Sequence, residues 1–347
     1  SSQDGTEGLS RALPIFSSMA RIGLFLAAIA SALLPLASSA VAKHKVDKLP
    51  GWDAPLKSTV YSGILPAGSS CVESKCYDMQ EHYMFIESER DPSKDPVVLW
   101  TNGGPGAASL FGLFVELGPY MLSDESRATA EYNKTGVPTL FDNPYGWSAF
   151  ANVLVINPPP PVGFSYCLPA GPSGSGTSCG KWNDTRTSYH NMEFLKSFFA
   201  NYPEFLENPF YLTGESYAGI YVPTLGREVL KYNEAKSAKE PEINIKGFAV
   251  GDACVGSKVN CGAEGPRSTV EFFRGHGQFS AKTHALLHSW CTPAELDRPG
   301  PWSPSCTQAL KVMDKEIGGY FEYSLYDECW GENDLVKGPK GHPRQRA

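Results

Sequence analysis

The sequence is poor in charge and lacks the usual signatures of metal and nucleotide sites. Asp, Glu, Lys and Arg make up only 19% of its 347 residues, beside 41% hydrophobic residues, a balance that excludes a disordered chain or a coiled coil. No cationic excess is present either: 30 Lys and Arg stand against 37 Asp and Glu, a net charge of -7. The chain therefore has no global basic footprint for a phosphate backbone, and no nucleic-acid partner is expected. No Cys-x-x-Cys pair occurs, which argues against a zinc site built on cysteines. No apolar run is long enough to span a bilayer: the longest, residues 22–36 with Pro35 inside it, falls short of the ~20 residues required.

That run has another reading. Arg21 follows Met19, and Ala40-Val41-Ala42 offers a small-x-small cleavage site after the apolar stretch. These are the parts of a secretory signal peptide over 19–42, with residues 1–18 upstream of it and outside any domain. Removing 1–42 leaves the charge and all nine cysteines unchanged. Secretion permits disulfides, and loop length suggests Cys71 with Cys76, Cys167 with Cys179, Cys254 with Cys261 and Cys291 with Cys306, leaving Cys329 alone. Two sequons, Asn133-Lys134-Thr135 and Asn183-Asp184-Thr185, suit the same compartment as glycosylation sites.

The composition holds 34 Gly and 28 Pro, so turns are frequent. Between them, β-branched and aromatic runs at 59–65, 82–88, 97–101, 153–157, 210–213 and 243–250 read as strands. The first two should form a hairpin around the Cys71 to Cys76 loop. Residues 191–202 place Met192, Leu195, Phe198 and Phe199 near helical spacing, a core-facing stripe. Strands interleaved with helices predict an α/β fold. After 250 the pattern changes to cysteine, Gly, Pro and short helices such as 281–289. Residues 333–347 are polar and are expected to be disordered.

The chemistry gathers in two segments. Phe210-Tyr211-Leu212-Thr213-Gly214-Glu215-Ser216-Tyr217-Ala218-Gly219 runs from a strand into a helix with small residues around Ser216. This is a nucleophile elbow, with Ala218 where the second glycine of the pattern usually stands. Trp100-Thr101-Asn102-Gly103-Gly104-Pro105-Gly106 ends another strand with a glycine-rich turn able to offer bare N–H groups to an oxyanion. A phosphate loop is the competing reading, but no Lys-Ser or Lys-Thr follows and no GxGxxG is present.

With these segments, and with LPG at Leu49, YSG at Tyr61, GLFVELGP at Gly112, NPYGWSAFANVLVIN at Asn143 and VGFSY at Val162, the chain resembles the serine carboxypeptidases. These are α/β-hydrolase peptidases that release C-terminal residues from peptides. The resemblance implies an α/β-hydrolase core over 43–250, a cysteine-rich cap over 251–332, and no cofactor. It makes Ser216 the nucleophile and assigns the oxyanion hole to the N–H groups of Gly104 and Tyr217. The substrate carboxylate would be held by Asn102, Glu116 and Glu215, with Trp100 beside them. Carboxyl groups so close must share protons, so binding should be best at acidic pH, in keeping with a vacuole, a lysosome or an acidic exterior.

Departures from the family are equally specific. Its Asp and His follow the serine in chain order, and no segment here resembles its histidine loop. These residues are therefore read as an incomplete copy with an incomplete sheet, and the unpaired ninth cysteine fits that reading. His276 is assigned to a turn. His284 and His288 lie one helical turn apart and could share a metal, but without further ligands a solvent-facing helix is preferred, and no metal site is expected. Ala107 and Ala108 replace the family's cysteine and serine. Asn157-Pro158-Pro159-Pro160-Pro161 replaces an acidic, small-residue run, and its prolines should impose an extended backbone. Two other classes compete: a non-catalytic carboxylate-binding protein, and a carboxypeptidase-like acyltransferase acting on sugar esters. The peptide-carboxylate set favours the peptidase.

Overall fold

The computed structural model describes residues 42–255, 265–319 and 325–326. Among the described residues there are ten strands: β1 (Lys45–Val46), β2 (Val60–Val72), β3 (Lys75–Ile86), β4 (Val97–Thr101), β5 (Tyr120–Met121), β6 (Phe141–Asp142), β7 (Asn152–Ile156), β8 (Tyr166–Leu168), β9 (Phe210–Glu215) and β10 (Ile245–Gly251). The helices are α1 (Leu110–Gly112), which continues as a π-turn over Leu113–Leu117, α2 (Ala130–Thr135), α3 (Asp184–Asn201), α4 (Ala218–Ala235), α5 (Arg267–Gly275), α6 (Ala281–Trp290), α7 (Pro293–Leu296) and α8 (Pro304–Ile317). No described helix is long and apolar enough to cross a membrane.

The main sheet has the order β1-β2-β3-β7-β4-β9-β10, with β8 added to β3. Its first half is antiparallel and its second half, β7-β4-β9-β10, is parallel. The parallel strands β4 and β7 are buried along their whole length, as strands covered on both faces must be. One face packs against α3 and α4 through an aromatic cluster in which Phe85 meets Phe205 at 5.0 Å and Phe198 at 5.1 Å. Burying each such ring contributes roughly 2–3 kcal/mol. Leu113, Tyr120 and Trp100 lie in the core on the opposite face. A separate apolar cluster joins α5, α6 and α8 through Val270, Phe273, Leu287 and Leu310.

All six expected strands are present, and their boundaries shift for identifiable reasons. The hairpin runs the full length from Val60 to Ile86, pairing Cys71 with Cys76 across a two-residue turn. Glu73 and Ser74 both take positive φ there, 55° and 61°, the conformation whose twist suits a two-residue hairpin. α3 begins at Asp184 and not at 191, because the Asn183 side chain accepts the Arg186 N–H at 2.9 Å and caps the helix. Arg186 then lies over the Trp182 ring at 4.0 Å and donates to the Cys179 and Lys181 carbonyls. Three disulfides, Cys71–Cys76, Cys167–Cys179 and Cys291–Cys306, match the expected pairs. Cys254 is also disulfide-bonded, while Cys261 and Cys329 lie outside the described residues, as do the signal segment and residues 333–347.

The proline run corrects one expectation. It does not extend: the Val162 N–H bonds to the Pro159 carbonyl at 3.1 Å and the Ser165 N–H to Val162 O at 2.9 Å. Ser165 also donates its hydroxyl to Asn157 O at 2.9 Å. The chain leaving β7 must return to place β8 against β3, and Ser165 draws the two ends of the run into a turn. Among the described residues β10 ends the parallel half of the sheet, opposite the edge strand β1, and its Phe248 is 61% exposed.

Candidate active site

Ser216 stands between β9 and α4 with φ +56°, a left-handed backbone that a residue with a Cβ adopts only under strain of about 1–2 kcal/mol. Three backbone bonds hold it there. Its N–H reaches Gly251 O at 2.9 Å, and its carbonyl accepts from Gly219 N and Cys254 N, both at 2.9 Å. The small residues around it follow from contact. A Cβ on Gly214 would stand 2.4 Å from Thr101 O and 2.6 Å from the Ala218 Cβ, and one on Gly219 would stand 2.5 Å from Cys254 O. Ala218 is therefore accommodated because Gly214 opposite has no side chain, and a further steric requirement for glycine falls one position later.

The glycine loop after β4 lies directly on this elbow. A Cβ on Gly103 would meet Tyr217 N at 2.4 Å and Glu215 O at 2.8 Å. Gly104, with φ +107°, is thus carried beside the start of α4. No side chain caps α4 at Tyr217, and the first-turn N–H groups of a helix have no intrahelical acceptor. The two segments expected to form an oxyanion hole are in backbone contact.

Asn102 is buried and held from every side. Its N–H donates to Ser109 Oγ at 3.0 Å, and its Oδ1 accepts from Trp100 Nε1 and Gly112 N, both at 3.0 Å. These bonds leave its amide to donate to Glu215 Oε1 at 2.7 Å and to Glu116 Oε1 at 3.4 Å. Trp100 is fixed edge-on against Trp147, with ring centroids 5.5 Å apart. Glu116 lies on an exposed part of the π-turn, yet partial desolvation and then the Glu215 carboxylate push its carboxyl above the usual range, against the Asn102 hydrogen bond. All four carboxylate-binding candidates therefore meet next to Ser216. Ala107 and Ala108 are not buried, whereas the next residue, Ser109, is buried and orients Asn102.

The roles of Trp182, Asp184, Tyr221 and His82 at the site are not legible in the sequence. The Tyr217 hydroxyl donates to Asp184 Oδ1 at 3.0 Å, which ties the elbow to the start of α3. A cleft of about 290 Å³ opens there, lined by Gly106, Pro159, Pro160, Trp182, Tyr217 and Tyr221 among others. Asn157 stands where the family has an acid. It is buried, and its Nδ2 meets His82 Nδ1 at 2.9 Å. Burial pushes His82 down to about 4, so a neutral amide faces a neutral ring.

His82 is not a base for Ser216. It sits on β3, separated from β9 by β7 and β4, and three interstrand steps amount to ~14 Å. His190 is engaged by Ala67 O and Ser70 Oγ, and His276 by Phe272 O at the end of α5. Among the described residues no histidine hydrogen-bonds to Ser216. Both sequon asparagines are exposed, Asn133 on α2 and Asn183 as the cap of α3.

Comparison with known proteins adds an independent line. The profile of the serine carboxypeptidase family matches residues 50–343. The chain is 36% identical over 297 residues to the lysosomal protective protein of Mus musculus, a match covering 83% of this chain and 53% of that protein. It is 33% identical over 294 residues to serine carboxypeptidase 1 of Hordeum vulgare, covering 84% of this chain and 52% of the relative. With serine carboxypeptidase-like 20 of Arabidopsis thaliana the identity is 37% over 305 residues, covering 88% and 56%. The chain thus spans about half the length of the curated relatives it matches. Among solved structures, a prohormone-processing carboxypeptidase from Saccharomyces cerevisiae superposes with a TM-score of 0.57 at 20% identity, covering 83% of this chain and 60% of that one. At that identity the likeness is one of fold.

Proposed function

The chain belongs to the serine carboxypeptidase family, and from that premise we propose that its site removes C-terminal residues from peptides through an acyl-enzyme on Ser216. The observation that carries this reading is the Asn102 amide, bonded to both Glu215 and Glu116 beside the strained elbow. An amide donor and two carboxyls, one of them favouring its protonated form, suit a ligand that is itself a carboxylate. A free C-terminus held there presents the adjoining peptide carbonyl to Ser216 Oγ. As the hydroxyl adds, the carbonyl oxygen takes up negative charge, which the N–H groups of Gly104 and Tyr217 are placed to receive. The amine of the released residue departs, and water then attacks the ester. Ser216 must pass its proton to a base, which in this reading comes from outside the described residues.

The raised Glu116 carboxyl supports an acidic optimum. Below its folded value the proton shared among Glu116, Glu215 and the substrate is present. Above that value three negative charges crowd one pocket and binding weakens. The disulfides support passage through the secretory pathway, ending outside the cell or in a lysosome or vacuole. The exposed Asn133 and Asn183 suit glycosylation in the same route. A hydrolase core over 43–250 and a cap over 251–332 belong to this reading, supported by the separate apolar cluster of α5, α6 and α8.

The test is to treat the complete protein with a fluorophosphonate probe and, separately, with an N-blocked dipeptide. Labelling at Ser216 and release of the free C-terminal amino acid, both lost in Ser216→Ala, are expected. Folded protein that neither labels nor releases an amino acid would overturn the reading.

A further inference from the structure

α5 and α6 pack through Val270, Phe273 and Leu287, and that packing places three ligand-type side chains at one rim. His284 and His288, at i and i+4 on α6, turn their Nε2 atoms toward each other at 3.1 Å, with ring centroids 4.4 Å apart. Glu271 comes from α5, and its carboxylate oxygen and the two imidazole nitrogens lie within 4.8 Å of one another. We propose that Glu271, His284 and His288 form a binding site for a divalent ion of the zinc type, which staples α5 to α6.

The distances fit such an ion. Two nitrogens each ~2.0–2.1 Å from zinc at a tetrahedral angle lie roughly 3.3 Å apart, close to the observed Nε2 separation. Without an ion, two neutral imidazoles facing through Nε2 can share only one proton between them. A cation takes both lone pairs at once and adds the carboxylate. Two neutral imidazoles and one carboxylate form a donor set of zinc type, with a fourth position left to water. Glu271 and His288 are exposed and His284 is half-buried, so an ion has an entry path and the side chains can close on it without disturbing the core. The second ligand helix distinguishes this cluster from a histidine pair on a solvated face: an ion here adds a polar bridge to two elements that already share an apolar cluster.

The test is titration of the complete protein with Zn2+ alone, in competition with a chromophoric chelator, and with Co2+ as a spectroscopic probe. One equivalent should bind, and Co2+ should give the absorption of a four-coordinate ion. Affinity should fall more than tenfold in His284→Ala, His288→Ala or Glu271→Gln, since loss of even an outer-shell partner costs about 10–100-fold, with unchanged far-ultraviolet circular dichroism. Glu271 and His288 are exposed, His284 is half-buried and none belongs to the apolar cluster, so the variants are expected to fold. Absence of stoichiometric binding to the wild-type chain, or equal affinity in the His284→Ala/His288→Ala double variant, overturns the proposal.

Discussion

Glu81 makes the stability of this protein depend on pH in a way that can be worked out from its surroundings. It sits in β3 opposite Leu65, on the strand face shared by Met79 and Tyr83, and is 0% exposed. Neither carboxyl oxygen has a hydrogen-bond partner. Desolvation alone pushes the carboxyl up to about 8 from an ordinary 4.5. Between those values the folded protein keeps the proton and the unfolded chain has lost it. The contribution to stability is thus full below about 4.5 and is lost as pH rises through about 8. At ~1.4 kcal/mol per pH unit the loss totals about 5 kcal/mol, comparable with the whole stability of many domains. His82 runs the other way. Held neutral with a value of about 4 against 6.5, it destabilises the fold as pH falls from 6.5 to 4. From about 4.5 to 6.5 the two slopes cancel, and from 6.5 to 8 Glu81 acts alone, costing about 2 kcal/mol. Glu81→Gln carries no proton to lose. Urea unfolding followed by tryptophan fluorescence should show the wild type losing stability relative to the Gln variant as pH rises from 5 to 8, because His44 and His190, also held neutral by burial, bend both profiles alike and drop out of the difference. Parallel profiles for the two proteins would refute the reasoning.

Other consequences are more local. Gly103→Ala forces a methyl group onto Tyr217 N, so the loop or the elbow must shift. A destabilisation of about 1–3 kcal/mol is expected, with more than tenfold slower probe labelling of Ser216; labelling at the wild-type rate would contradict that contact. Glu116→Gln removes the carboxyl held above its usual range, so the rise of KM with pH expected of the wild type should flatten, and coincident pH profiles would count against the proton-sharing pocket. Replacing Cys167 and Cys179 by serine opens a disulfide spanning 12 residues. A loss of roughly 3 kcal/mol in denaturant unfolding should follow, and an unchanged midpoint would show that the turn at 169–180 is held by other contacts.

What the sequence discloses is what lies close together along the chain. The bounds of Val97–Thr101 are legible because five apolar or β-branched residues, all buried, are flanked by breakers. The far end of the hairpin escaped, since its outer pairs are polar and half exposed and the turn uses Glu73 and Ser74 in place of glycine. The short strands β1, β5, β6 and β8 have two or three residues each, too few to carry a period. The elbow and the glycine loop were readable as uninterrupted motifs, and the family resemblance marked Glu116. That Asn102 fastens Glu116 to Glu215 depends on β4 lying beside β9 in register, a fact of the sheet.

The same limit separates the histidine pair from the metal site. Spacing of i and i+4 on one helix is visible in the sequence, and it rightly leaves a solvated face as the default when no other ligand is known. Nothing in the sequence ties Glu271 to that pair. It becomes a ligand only because Val270 and Phe273 must be buried against Leu287, which turns α5 so that Glu271 meets the rim where the imidazoles converge. Apolar packing, not the polar residues themselves, therefore decides whether the three donors meet, and substitutions at Phe273 or Leu287 should weaken zinc binding without touching a ligand.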